Sequence, residues 1–263
     1  MQAEDTRRPT ALVTGASSGI GEALARRLAA EGHDVVLVAR NAERLQAVAQ
    51  EIESVHGVSA HVLARDLSDP RAPDDIYRTL TERGIRVDVL VNNAGFGGYG
   101  FFQDTDLAHE LGMIQVNVTA LVHLAKLFVR DMVARGSGRV LNVSSTAAYQ
   151  PGPLQPVYYA SKAFVQSFSE AIDNGLRGTG VRVTTLVPGP AVTAFHTRAR
   201  TERSFRGLKK HSADEVARVG VDGLRRGKRV VVVGRANRLL AIIARMSPRR
   251  LAAETARRLQ AQD

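Results

Sequence analysis

The sequence contains no cysteine at all. Disulfides, thiolate metal sites and cysteine nucleophiles are therefore excluded, and the absence fits a reducing compartment, so a cytoplasmic protein is expected. Long apolar runs are missing too. The tail's longest, Leu239 to Ala244, is bounded by Arg238 and Arg245, far short of the ~20 residues that span a bilayer. Met1 to Pro9 is polar and charged, with nothing resembling a secretory leader. No period of 20–50 residues repeats, and no segment is low in complexity. Aromatic residues make up only 5 %, and no stacking platform accompanies the basic charge, which argues against nucleic-acid binding.

What is present is ordinary for a globular chain: 44 % hydrophobic, 24 % charged, 263 residues, enough for one large α/β domain with a full core. The net charge of +10 is unevenly placed. Residues 1–200 hold 20 basic and 20 acidic side chains, whereas residues 201–263 hold 16 and 6, so the whole excess lies in the last quarter. That excess reads as a solvated arginine-rich face, or as attraction to an anionic lipid, partner or substrate.

Short apolar runs alternate with helical stretches. The seven strand candidates are Thr10–Val13, Val35–Val38, Ala60–Leu63, Val87–Val91, Val140–Val143, Val181–Val187 and Arg229–Val233. Near-continuous Val/Leu/Ile runs mark strands covered on both faces. The expected fold is α/β: a single Rossmann-type, doubly wound parallel sheet of about seven strands with helices on both faces. Ligands then bind beyond the strands' carboxyl ends, so the loops after Val13, Ala39, Leu63, Val91, Val143 and Val187 should share one crevice. Asp69-Pro70 reads as a helix start with proline in the first turn, and Ser212-Ala213-Asp214-Glu215 as a capping box.

Between the first strand and first helix lies Thr14-Gly15-Ala16-Ser17-Ser18-Gly19-Ile20-Gly21. Glycines there allow a tight turn and close approach of backbone N–H groups to a pyrophosphate at the helix's positive end. Three glycines alone would equally make a turn; their place at the head of an α/β alternation points to a dinucleotide. The second strand ends in Ala39-Arg40 with no carboxylate to meet a ribose 2′-hydroxyl. Arg40, with Ser17 as a second donor, suits a 2′-phosphate, which favours NADP(H) over NAD(H).

Tyr158 and Lys162 stand one helical turn apart on a common face, and Tyr159 competes for the same role on spacing alone. An ammonium beside a phenol, together with the positive nicotinamide ring of an oxidised dinucleotide, is expected to make it more acidic. Such a group can give a proton to a carbonyl oxygen or take one back. Ser145, just past a buried-looking strand, could hold the substrate oxygen against it, although a serine there also commonly caps a turn.

With these motifs the sequence resembles the short-chain dehydrogenase/reductase family over about residues 9–235. The resemblance is carried by T-G-x-x-x-G-x-G at 14–21, Asp66, N-N-A-G at 92–95, Asn117, S-S at 144–145, Y-x-x-x-K at 158–162, P-G at 188–189 and Thr193. It implies a catalytic tetrad of Asn117, Ser145, Tyr158 and Lys162, with Tyr158 preferred over Tyr159. It also implies that Lys162 binds the nicotinamide ribose and that Asn117 holds a proton-relaying water. Cofactor contacts are implied at Gly15, Ser17, Ser18, Gly19, Ile20, Gly21, Arg40, Asp66, Leu67, Asn93, Ala94, Gly95, Tyr158, Lys162, Pro188, Gly189 and Thr193. No metal is expected. The implied activity is hydride transfer between NADP(H) and a carbonyl/alcohol pair, in a homodimer or homotetramer; a dinucleotide-binding sensor or scaffold is the competing reading.

The substrate pocket is expected from Phe96–Phe102, Ala147–Val157 and a loop at about 191–211 that includes Phe195. Its lining is more apolar than charged, which suggests a hydrophobic substrate. Residues 1–234 then form the catalytic domain. Residues 235–263 form a basic amphipathic extension of two helices split at Ser247-Pro248, placed to pack on the body, on another subunit or weakly on a membrane surface.

Overall fold

The computed structural model describes residues 7–192 and 210–260. Seven strands form one parallel sheet: β1 (Thr10–Thr14), β2 (Asp34–Ala39), β3 (Ala60–Ala64), β4 (Val89–Asn92), β5 (Gly138–Val143), β6 (Val181–Val187) and β9 (Val230–Val232). Their spatial order is β3-β2-β1-β4-β5-β6-β9, so the order reverses between β1 and β4. A crevice opens at such a reversal because the flanking connections leave in opposite directions. A short pair, β7 (Ala191–Val192) and β8 (His211–Ser212), lies apart from the main sheet.

Alternating strand residues explain the two helical layers. Val13, Val35 and Leu37 face the layer of α1 (Gly19–Ala30), α2 (Ala42–His56) and α7 (Ala213–Arg225), against Leu24, Leu45, Ile52 and Val216. Leu12, Val36 and Leu90 face the layer of α3 (Ala72–Glu82), α5 (Ala120–Ala134) and α6 (Pro156–Gly175), against Ile76, Leu124, Phe128 and Met132. Burial on both sides removes the large apolar side chains of the central strands from water, at roughly 1.5–3 kcal/mol apiece.

Capping chemistry sets the helix starts. Asn41 accepts from Arg44 N at 2.8 Å, Ser212 accepts from Glu215 N at 3.1 Å as the capping-box spacing required, and Pro156 occupies the first turn of α6. The Asp69-Pro70 expectation is corrected. Asp69 accepts from Arg71 N at 2.9 Å in a local turn, and α3 begins at Ala72 with Pro73 in its first turn. The aspartate satisfies its own loop instead of the helix.

Residues Leu107–Ala134 form one 28-residue helical stretch, made of α4 (Leu107–Ile114), a π turn (Gln115–Thr119) and α5. It is long and apolar enough to cross a membrane by composition. Its Leu121, Leu124, Phe128 and Met132 are instead buried, three of them in the core beneath the sheet. After β9 the chain continues as α8 (Arg235–Met246) and α9 (Arg249–Gln260), broken at Ser247-Pro248.

Candidate active site

A cleft of about 770 Å³ runs along the carboxyl ends of the strands, within the range of small-molecule and cofactor sites. All six loops expected to share a crevice line it: residues from Gly15 to Gly21, Arg40, Asp66 and Leu67, Asn93 to Phe96, Ser144 to Ala147, and Pro188 to Ala191.

At one end the glycine loop has a shape that only glycine permits. Gly15 has φ +69°, and a β-carbon at Gly21 would collide with the Gly15 carbonyl oxygen. The loop is pinned from below. Thr14 Oγ1 donates to Val91 O at 3.3 Å and accepts from the backbone N–H groups of Asn93 and Ala94, each at 3.0 Å. Asn93 Nδ2 reaches back to Thr14 O at 2.9 Å. One threonine and one asparagine thus lock the ends of β1 and β4 together at the reversal point.

Arg40 lies at the far end of this half, as the sequence suggested, and Arg44 and Arg65 line the same end. Those two escaped the sequence reading, though Arg65 directly precedes the flagged Asp66. Asp66 itself is exposed and accepts from Ser68 N at 2.9 Å. The collision-free cradle, the helix N-terminus beside it and the three guanidinium groups fit a dinucleotide with a phosphate at its adenosine end.

At the other end stand the tetrad residues. Ser144 donates through Oγ to Lys162 O at 2.9 Å, and Ser145 is hydrogen-bonded to Tyr158. Lys162 Nζ donates to Val143 O at 3.0 Å and lies 5.9 Å from the Tyr158 ring centre. Tyr159 is buried, with its ring packed on Gly152. Spacing left the two tyrosines open; the structure sets Tyr158 against Ser145.

The protein's own groups do not by themselves supply the expected acidification of the phenol. Part of the Tyr158 ring faces the cleft, yet burial pushes the phenol well above its ordinary range. The Ser145 hydrogen bond lowers it somewhat, and neighbouring Tyr159 raises it further. Burial likewise pushes the Lys162 ammonium down, to about 8. Desolvation disfavours both charged forms, and with its amine turned to Val143 O, Lys162 does not outweigh that effect at the phenol. The arrangement holds a neutral hydroxyl, able to donate a proton.

Asn117 sits in the π turn and is buried. π turns interrupt the regular helical ladder and recur at functional sites. Its Oδ1 accepts from Phe96 N at 3.1 Å, and its Nδ2 donates to Phe96 O at 3.0 Å and to Ser161 Oγ at 3.1 Å. This side chain therefore ties the loop after β4 to α6, the helix that carries Tyr158 and Lys162.

The substrate end differs from expectation. Phe96, Ala147, Gln150, Gln155 and Ala191 line the cleft, but Phe101 and Phe102 point outward, 51 % and 64 % exposed. Thr193 and Phe195 lie outside the described residues. The wall is completed by the tail, through Asn237, Leu240, Ala241, Ala244 and, from α9, Leu251. Asn237 anchors it: the side chain is buried, donates to Val233 O at 2.8 Å and packs directly on Gly189. The signal was a stripe of Asn237, Ala241 and Ala244, spaced i, i+4, i+7 on one helical face.

Comparison with known proteins agrees with this geometry. Residues 9–204 match the family model described as short chain dehydrogenase. The chain is 38 % identical over 213 residues to a sulfoacetaldehyde reductase of Chromohalobacter salexigens, covering 78 % of this chain and 83 % of that one. A short-chain dehydrogenase from Sphingobium yanoikuyae, solved in complex with NADPH, superposes with a TM-score of 0.81 at 33 % identity, over 89 % of this chain and 92 % of that one. The bulky-bulky ketone specific alcohol dehydrogenase from Comamonas testosteroni gives 0.76 at 28 % identity, over 85 % of each chain. The chain belongs to the short-chain dehydrogenase/reductase family and is an oxidoreductase acting on CH–OH/C=O groups.

Proposed function

We propose that the chain is an NADP(H)-dependent reductase of hydrophobic ketones or aldehydes, running in reverse as an alcohol dehydrogenase. The observation that carries this reading is the Tyr158 hydroxyl, hydrogen-bonded to Ser145 in the same cleft that the glycine loop opens.

When bound, the nicotinamide dinucleotide supplies or accepts the hydride. Gly15, Ser17 to Gly21, Asn93 to Gly95, Pro188 and Gly189 would hold it, with Arg40, Arg44 and Arg65 around a 2′-phosphate. Leu67 and Asp66 would flank the adenine end, and the family resemblance implies a further contact at Thr193. Tyr158 gives its hydroxyl proton to the carbonyl oxygen as that oxygen gains charge. Ser145 Oγ holds the oxygen in place. Lys162 would bind the nicotinamide ribose, and burial pushes its ammonium down to about 8. Asn117 is a positioning residue, its side chain committed to Phe96 and Ser161.

Three features support the finer points. Three guanidinium groups at the adenosine end favour NADPH, the cofactor named for the Sphingobium yanoikuyae relative. The small and aliphatic residues of the tail favour a bulky apolar substrate, in line with the Comamonas testosteroni relative and unlike the anionic substrate named for the Chromohalobacter salexigens one. The catalytic groups are assigned to residues 1–234, and the described part of the extension, 235–260, walls the cleft. A cytoplasmic homo-oligomer is the expected form. The deciding experiment follows NADPH oxidation across a panel of ketones and aldehydes. Substrate-stimulated turnover lost in Tyr158→Phe supports the reading, and saturable NADPH binding without turnover would instead mark a sensor.

A further inference from the structure

Helix α8 has two apolar faces. Asn237, Leu240, Ala241 and Ala244 turn inward to the cleft. Leu239, Ile242 and Met246, spaced i, i+3, i+7, form a second stripe on the opposite side, 59 %, 50 % and 82 % exposed. An amphipathic helix needs one buried face; among the described residues nothing covers the outer stripe. Between the faces, Leu240, Ile243 and the α9 residue Leu251 both line the cleft and remain about half exposed. The outer apolar surface is thus continuous with the cleft mouth.

Charge surrounds that surface. Residues 235–260 contain seven arginines, at 235, 238, 245, 249, 250, 257 and 258, against one carboxylate, Glu254, a balance of +6. All seven are exposed. A second copy of the chain is a poor occupant, because a two-fold contact would set this patch on itself and bring like charges together. An anionic and apolar surface is complementary to both features.

We infer that α8 and α9 dock on an anionic lipid bilayer, with Leu239, Ile242 and Met246 entering the acyl boundary and the arginines meeting lipid phosphates. The cleft mouth then opens onto the membrane surface. This inference rests on the outer face alone and stands or falls separately from the redox reading.

The test uses the full chain and vesicles of phosphatidylcholine, with or without 30 mol % phosphatidylglycerol, in a flotation assay without substrate. Binding is expected to the anionic vesicles only, and to fall in 0.5 M salt. Replacing three arginines (Arg238→Gln, Arg249→Gln, Arg250→Gln) should weaken it about 100-fold, at ~1 kcal/mol per basic residue near the surface. Leu239→Ser, Ile242→Ser and Met246→Ser together should weaken it at least ~10-fold. An unchanged circular dichroism spectrum and melting temperature in each variant show that the fold is intact. Absence of binding to anionic vesicles, or equal binding by both variants and the parent, overturns the inference. So does sedimentation showing a dimer that the serine variant dissociates, which would assign the face to self-association.

Discussion

The two ends of the cleft are built in different ways. At the cofactor end the binding surface is backbone, held by five strand termini and by Thr14 and Asn93, which bond β1 to β4. Ser17, Ile20, Asp66, Leu67 and Asn93 add side chains beside the glycine loop, with arginines at the rim. At the substrate end the wall is side chain, carried on two terminal helices that meet the body mainly through Asn237, Ala241, Ala252 and Ala256. A rigid sheet edge fixes geometry for a ligand that does not change, whereas a helix laid across the mouth can change its lining without disturbing the sheet. Substitutions at the first end should therefore act on all substrates alike, and those at the second should discriminate among them.

Tyr158→Phe gives the largest effect. Loss of the proton donor should lower kcat by about 10³-fold, within the usual ~10²–10⁴ for general acid catalysis, for small and bulky carbonyls equally. NADPH affinity measured by fluorescence should stay unchanged. A kcat loss confined to one substrate class would break the distinction between the two ends.

Lys162→Met separates stability from activity. Between about pH 8 and the ordinary lysine value of 10.5, the unfolded chain binds a proton that the folded chain lacks, so stability rises with pH across that window. Below pH 8 the penalty is fully present, on the order of 3 kcal/mol. Above pH 10 the raised Tyr158 phenol works the other way: the folded chain keeps a proton that the unfolded chain releases, and stability declines. The methionine variant should lose turnover and flatten the rise between pH 8 and 10 in denaturant titrations. Leaving Val143 O without its donor offsets part of the gain, by about 1–3 kcal/mol.

Arg40→Glu tests the cofactor end directly. Replacing a guanidinium with a carboxylate should shift the NADPH/NADH ratio of kcat/KM by about 10–100-fold toward NADH, since charge-assisted hydrogen bonds are worth ~1.5–3 kcal/mol. Arg44 and Arg65 remain, so the preference should weaken more than it inverts.

The same contrast explains what could be read from the sequence. The sheet was legible because runs such as Val35–Val38 and Val181–Val187 leave no exposed face, and the glycine loop because its spacing is dictated by backbone sterics. Tyr158, Lys162 and Ser145 were legible from helical spacing and strand position, whereas Asn117 and the choice of Tyr158 over Tyr159 were legible only through the resemblance, because they depend on tertiary packing. The electrostatic sign at Tyr158 was not legible, because spacing shows that an ammonium is near but not that both groups are desolvated. The tail's role was hidden for another reason. Its apolar residues announce an amphipathic helix, but whether the partner is core, subunit or cleft depends on where Gly189 and Asn237 meet.

Ala244→Phe is the mildest change and the sharpest probe of the substrate end. Ala244 lines the cleft from the last turn of α8 and is only partly exposed, so the added ring has the cleft as its free volume and leaves buried Ala241 and Asn237 in place. Lost space in an apolar site costs a large substrate roughly 1–3 kcal/mol and a small one little. KM for bulky ketones should rise about 10-fold while kcat/KM for a two- or three-carbon aldehyde, and NADPH affinity, hold within twofold. An equal loss for both sizes would mean that α8 shapes the reacting centre itself, and the division between a fixed cofactor end and a variable substrate end would fail.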